Sequence, residues 1–419
     1  MSLNGRKKIL GILIFSTFLG SSYQILSVGG ISINIFRLTL LCFVGIHFVS
    51  YKFRFLHKNL NLWILICLTG IIILTLLSTP CYKEWLKGTV NLASIIIINY
   101  FIVTYTETEK ELLKYLRFFA WGMLVTIFLS MFEYITKVHI AANYVDVYKT
   151  TDWQYEYLIK APTVFLYNPN NIATLLVIGV PMGRYLFKDS GRYIQFLEAI
   201  YLVLLLLVCF MTGSRGGMLF AILGIMLMFL FNRKPSCYKV VIIIGSIFLA
   251  FILGFLFRHM LLSQLQYAGI IDQSGKIIEH LGGANERFQI IEMLLRESWN
   301  RWGLGIGPYG AETVIGSFAH NMWLEILLNY GVVGLFLFLG IYLYVLGKLW
   351  RLSYCNPIAN NLKVSFLIFA VAALIPPTLF TLPVMWLIWG FALALLKIKK
   401  KEKKEYEKGF YNYYRYRSG

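Results

Sequence analysis

Charge is scarce in this chain: 14% of its 419 residues are charged, with 20 acidic side chains against 39 basic ones. At 58% hydrophobic residues and a mean hydropathy of +0.68, a water-soluble fold cannot hide so much apolar surface. Cysteine forms no framework: Cys42, Cys67 and Cys209 fall in apolar runs, while Cys81, Cys237 and Cys355 lie in separate loops. That excludes a disulfide scaffold and offers no metal-ligand spacing. Ten-residue segments of alternating hydrophobicity are missing too, which excludes an outer-membrane barrel. No small-residue cleavage site closes "MSLNGRKKILGILIFSTFLG", so its apolar run is expected to remain as a first span.

What is present is a series of apolar runs long enough to cross a bilayer. They predict an all-α polytopic bundle of about twelve spans. The spans lie near 9–27, 32–50, 61–78, 85–104, 118–136, 166–187, 194–212, 214–231, 240–257, 321–347, 364–380 and 382–397. Two breaks rest on little: Ser214, and the prolines of "IPPTLFTLP".

Basic residues set the orientation. With both termini cytoplasmic, the inner segments hold Arg6, Lys7 and Lys8; Lys52, Arg54 and Lys58; Lys110, Lys114 and Arg117; and Arg184, Lys188 and Arg192. Arg233, Lys234 and Lys239 follow, then Lys348, Arg351 and Lys363, and a basic tail. The excess of positive charge is thereby a topology signal, and nucleic acid is not an expected partner.

This layout gives a membrane domain over 1–397 and a cytoplasmic tail over 398–419, read as an anchor on anionic lipid. One large extracytoplasmic loop covers about 258–320, with a smaller one near 137–165. Neither is large enough for an ordinary catalytic domain, so a site must be shared with the outer helix ends. In the large loop, "NERFQIIEMLLRESW" predicts an amphipathic helix with Phe288, Ile291, Leu295 and Trp299 on its apolar face. Asn285 is its expected N-cap, which puts Arg287 in the first turn. The Gly/Pro turn "WGLGIGPYG" follows; it lacks the Gly-Lys-Ser/Thr ending of a phosphate loop. His320 then stands at the mouth of span ten, followed by Asn321 and Glu325.

Arg215, in "MTGSRGGMLF", falls at the outer turn between spans seven and eight. An arginine there either snorkels to the interface or meets an anion. The same two readings apply to Arg37, about one turn inside span two. Asn168, Asn170 and Asn171 open span six, as caps or sugar-binding amides. The aromatics of "YVDVYKTTDWQYEY" suit either sugar stacking or a membrane interface.

Four stretches in order, "FLYNPNNIATLL", "TGSRGGML", "ERFQIIEMLL…GLGIGPYG" and "AHNMWLEILLNYGVVGLFLF", resemble the O-antigen ligase and O-antigen polymerase group of bacterial membrane glycosyltransferases. The resemblance covers about 160–345; the N-terminal third agrees in hydropathy alone. It implies transfer of a glycan from undecaprenyl diphosphate on the outer face of the cytoplasmic membrane. The acceptor is a second lipid-linked unit in a polymerase, or a lipid A-core sugar in a ligase. It also implies no metal or other cofactor, with membrane lipids, a flippase and a chain-length regulator as partners. Function carries over to Arg215, Arg287 and His320. The secondary candidates come from the residues themselves: Arg37 and Asn170 as substrate contacts in the readings given above, and Asn321 or Glu325 orienting the acceptor or pairing with an arginine.

The chemistry suits those residue types. A departing lipid diphosphate needs fixed cations, and arginine's planar fork matches phosphate oxygens. The acceptor hydroxyl must lose a proton, for which a histidine is a suitable general base. Attack opposite the diphosphate inverts the anomeric centre. Polymerase and ligase both remain open, with the Lys-, Ile- and Tyr-rich composition of an AT-rich genome tipping toward polymerase. A lipid-linked oligosaccharide flippase is the rival of another class; transporters put charges at the bilayer midplane, where most of these spans have none.

Overall fold

The computed structural model describes residues 3–20, 24–28, 31–51, 75–76, 78–141, 161–187, 193–231, 282–300, 303–316, 319–376, 378 and 380–417. The expected spans at 61–78 and 240–257 lie wholly or largely outside those residues, as does the aromatic loop near 143–156.

The fold is helical, as expected. Among the described residues, four helices are long and apolar enough to cross a membrane: Tyr82–Tyr105 (α3), Glu109–Thr136 (α4), Ile194–Met211 (α6) and Met322–Leu352 (α10). At a rise of about 1.5 Å per residue, even the shortest nearly matches a hydrocarbon core about 30 Å thick. Shorter helices complete the bundle: Leu3–Ser16 (α1), Ile35–Tyr51 (α2), Pro169–Ile178 (α5), Arg215–Leu230 (α7) and Pro357–Ala372 (α11). A last helix, α12, runs Pro383–Arg417. In the loop before α10 stand α8 (Gly282–Asn300) and α9 (Gly310–Ile315).

One end of the bundle is tied by ion pairs. Lys7 of α1 bonds Glu111 at 2.6 Å, and Lys399 of α12 bonds Glu109 at 2.6 Å. Asn356 donates to the same Glu109 at 2.6 Å, and Lys397 donates to the Val103 carbonyl at 2.7 Å. The start of α1 and the base of the tail therefore share one end. At that end Thr108 caps α4 by accepting from the Glu111 N–H, while Glu111 accepts from the Glu107 N–H.

Three expectations need correction. Span one stops early: the helix ends at Ser16, a 3-10 turn covers Thr17–Leu19, and Gly20 takes φ 57°. Gln24–Val28 (β1) then pairs antiparallel with Ile31–Asn34 (β2), Val28 opposite Ile31. The intervening Gly29-Gly30 is a hairpin signal within an apolar run, where hydropathy alone reads a helix. Span six breaks after Ile178, because Pro181 has no N–H to donate; a 3-10 turn at Val180–Met182 and one helical turn at Gly183–Leu186 follow.

The third correction concerns α8. It begins at Gly282, so Asn285 is inside the helix and Arg287 sits in its second turn; Ala284 and its glycine neighbours do not oppose helical backbone. Its buried positions are Leu294 and Ser298, while Leu295 is 47% and Trp299 85% exposed. Ile290 and Leu294 pack with Ile306, Ala311 and Leu328 in a small separate core, so α8 caps the bundle by a face one position away from the expected one. Beyond the last span, α12 continues as helix through Arg417, with Lys401–Glu405 and Lys403–Glu407 pairs one turn apart.

Candidate functional site

At the end opposite the ion pairs, helix termini and loops interlock through hydrogen bonds. Arg215 is the first residue of α7 and is exposed. Ser214 caps that helix, its hydroxyl accepting from the Gly217 N–H at 3.2 Å. Gly217 lets the helix start approach α5: a Cβ there would lie 2.6 Å from that of Ala173. Gly216 likewise faces Ile375, in the connection from α11 to α12. The glycines thus seat the N-terminus of α7, with Arg215 on it, against two neighbours. First-turn N–H groups and a guanidinium together favour an anion.

His320 precedes the cap of α10 and holds φ 49°, a conformation a non-glycine residue adopts only when its surroundings impose it. Asn321 Oδ1 accepts from the Trp323 N–H at 3.0 Å and the Leu324 N–H at 3.3 Å, so it is the helix cap. One residue on, the Met322 N–H donates to the Ala373 carbonyl at 3.0 Å. The helix starts that carry His320 and Arg215 both border the α11–α12 connection, that of α10 through Met322 and Ala373 and that of α7 through Gly216 and Ile375. Glu325, 5% exposed, accepts from the Thr378 hydroxyl of that connection at 2.6 Å.

A second polar group converges from the other side. Arg37 of α2 donates to the carbonyl and hydroxyl of Ser32 and to Asn91 Oδ1 of α3. Asn91 Nδ2 in turn donates to the Tyr309 hydroxyl at 3.0 Å. Arg37 is held inside the protein and does not snorkel. Burial, then Glu312 and Glu325, push the Tyr309 phenol upward, against the pull of Arg37. Burial also raises Glu312, to about 8, helped by Glu84 and opposed by Lys87. The series Arg37–Asn91–Tyr309–Glu325–Thr378 makes a polar belt across this end of the bundle, hydrogen-bonded except between Tyr309 and Glu325, which act on each other through charge.

The loop "GLGIGPY" carries Tyr309 into place. Helix α10 breaks at Gly331, φ 72° and ψ −177°. The break exposes backbone groups that the loop takes up: the Ile306 N–H donates to Leu328 at 3.0 Å, the Gly307 N–H to Asn329 at 2.8 Å, and the Val332 N–H to Gly303 at 2.8 Å. Gly88 of α3 admits the loop, since a Cβ there would sit 2.4 Å from Pro308. The mutual pairing gives backbone groups of both stretches their partners.

Asn168 caps α5, accepting from the Asn170 N–H at 2.8 Å; Asn170 itself is half-buried, and its carbonyl accepts from Thr174. Arg287 lies on α8, which packs against α10; its backbone is the part described. The sequence reading missed Tyr309, Asn91 and Thr378. Asn91 was detectable as an amide within an apolar span; a tyrosine and a threonine in Gly/Pro loops carry no such signal. Among the described residues, no group of three or more His, Cys, Asp or Glu is placed to hold a metal.

Residues 200–339 match the family model Wzy_C, O-antigen ligase. That match takes in the Arg215, Arg287 and His320 stretches and leaves out "FLYNPNNIATLL". The chain is also similar to the teichuronic acid biosynthesis protein TuaE of Bacillus subtilis (strain 168), 21% identical over 94% of this chain and 85% of the relative. Together they support a membrane glycan polymerase or ligase in polysaccharide biosynthesis. The likeness to the O-antigen ligase and polymerase group read from the sequence is thereby shown over residues 200–339.

Proposed function

We propose that this protein is a membrane glycosyltransferase that polymerises a glycan carried on undecaprenyl diphosphate, working on the extracytoplasmic face without a metal. The observation that supports the reading is that two helix starts meet one connection at the end opposite the lysine-rich one: that of α10, through Met322 and Glu325, just after His320, and that of α7, through Gly216, beside Arg215. Arg215 and Arg287 meet the diphosphate as it departs, and charge developing on a leaving group is where fixed cations act most strongly. His320 takes the proton of the acceptor hydroxyl, and attack from the far face inverts the anomeric carbon. TuaE, a wall-polysaccharide protein, favours polymerase over transfer to a lipid A-core. Transfer to such a core is the second reading, favoured by the ligase family match.

The test is extension of a lipid-linked repeat unit by the purified full-length chain with chelator present. A ladder of products supports polymerase, and transfer of one block to a core acceptor supports ligase. Arg215→Lys and Arg287→Lys should each lose most of the activity, because a point charge lacks the bidentate fork. Near-normal lysine variants would remove the diphosphate clamp.

A further inference from the structure

Arg37 is a half-buried cation in the first turn of α2, tied through Asn91 to Tyr309. Its neighbours are neutral acceptors, Ser32 and Asn91, and among the described residues no carboxylate forms an ion pair with it. A guanidinium has five N–H donors, and these contacts engage at most three of them. Holding a charge in a partly buried place without a counter-ion is costly, and the cost is recovered when an anion arrives. Three separate elements fix the group: the β2–α2 junction through Ser32, α3 through Asn91, and the loop through Tyr309. Tyr309 is itself held at φ 64°, and Gly88 is shaped to receive it. These contacts fix the fork in place.

We propose that Arg37 is the core of a second lipid-diphosphate subsite, distinct from the one at Arg215, and that it holds the acceptor substrate. The inference rests on the proposed function. A polymerase joins two lipid-linked molecules, so it needs two diphosphate positions with the acceptor hydroxyl reaching the base between them. Here the two cations stand on separate elements, Arg37 in the first turn of α2 and Arg215 at the start of α7. Asn91 and Tyr309 are positioning residues: they aim the fork and do not themselves bear the charge.

Native mass spectrometry of the full-length chain, titrated with geranylgeranyl diphosphate, tests this. Wild type is expected to carry two molecules per chain. Arg37→Gln and Arg215→Gln should each carry one, and the double variant none. Tyr309→Phe, which keeps the ring packed by Gly88, should weaken the second binding several-fold and leave the first unchanged; it serves where Arg37→Gln folds poorly. Geranylgeraniol, which lacks the diphosphate, should not reproduce the count, and inorganic pyrophosphate should compete with it. An unchanged count and affinity in Arg37→Gln or Tyr309→Phe, or equal binding of the alcohol, would overturn the second subsite. If instead Arg215→Gln were unchanged while Arg37→Gln lost one molecule, the subsite would stand and the donor reading at Arg215 would fail.

Discussion

The Thr378 hydroxyl donates a 2.6 Å hydrogen bond to the buried carboxylate of Glu325, fastening the α11–α12 connection to the first turn of α10. The pair closes the belt on the side nearest His320. Hydrogen bonds to charged groups contribute roughly 1.5–3 kcal/mol, more than neutral pairs. Thr378→Val should therefore lower thermal stability by about that amount, with glycan transfer falling as the connection loosens. Thr378→Ser keeps the donor and should stay near wild type. Equal melting temperatures for the valine and serine variants would show that the pair contributes nothing.

Gly331 is the hinge point of α10. A Cβ there would sit 2.4 Å from the Gly303 carbonyl, at a φ of 72° that side chains rarely adopt. Gly331→Ala should cost about 1–3 kcal/mol from backbone strain alone. It should also free the loop that carries Tyr309, so activity is expected to fall further than stability. The check is unfolding in detergent beside a transfer assay. A variant as stable and active as wild type would mean that the break does not position the loop.

Glu312 gives a pH signature. In the folded chain it holds its proton up to about pH 8, against an ordinary value of 4.5. Between those values the folded state binds more protons than the unfolded one, so stability falls as pH rises through the window. Glu312→Gln stays neutral, so its decline should be shallower and its advantage greatest near pH 8. Parallel profiles for the two proteins would contradict the burial of this carboxyl beside Glu84.

Much of this was legible in the sequence because it depends on period and punctuation. Apolar runs gave the bundle, Ser214 marked a true helix start, and the prolines after Leu374 marked a true break. The hairpin at 24–34 was not legible, because a strand and a span are both written in apolar residues. Nor was the break at Gly331: a glycine in a long apolar run usually stays helical, and only the pairing with 303–307 shows otherwise. Arg215, His320 and Glu325 stood out as polar groups at apolar helix ends. The partners that fix Arg37 and Glu325 lie far away in the chain, at Asn91, Tyr309 and Thr378, and long-range pairing leaves no local pattern.

The central claim is that His320 acts as the general base. The measurement is the pH dependence of glycan transfer by purified wild type and His320→Gln, with a lipid-diphosphate donor and no added metal. A histidine base is active when neutral, so wild-type turnover should fall on the acid side as the imidazole takes up a proton. His320→Gln preserves a hydrogen-bonding group but takes no proton, so it should lose about 10²–10⁴-fold at neutral pH and show no such acid limb. Substantial activity in His320→Gln, with the acid limb unchanged, would contradict the base role and leave the arginines as the chemistry of the site.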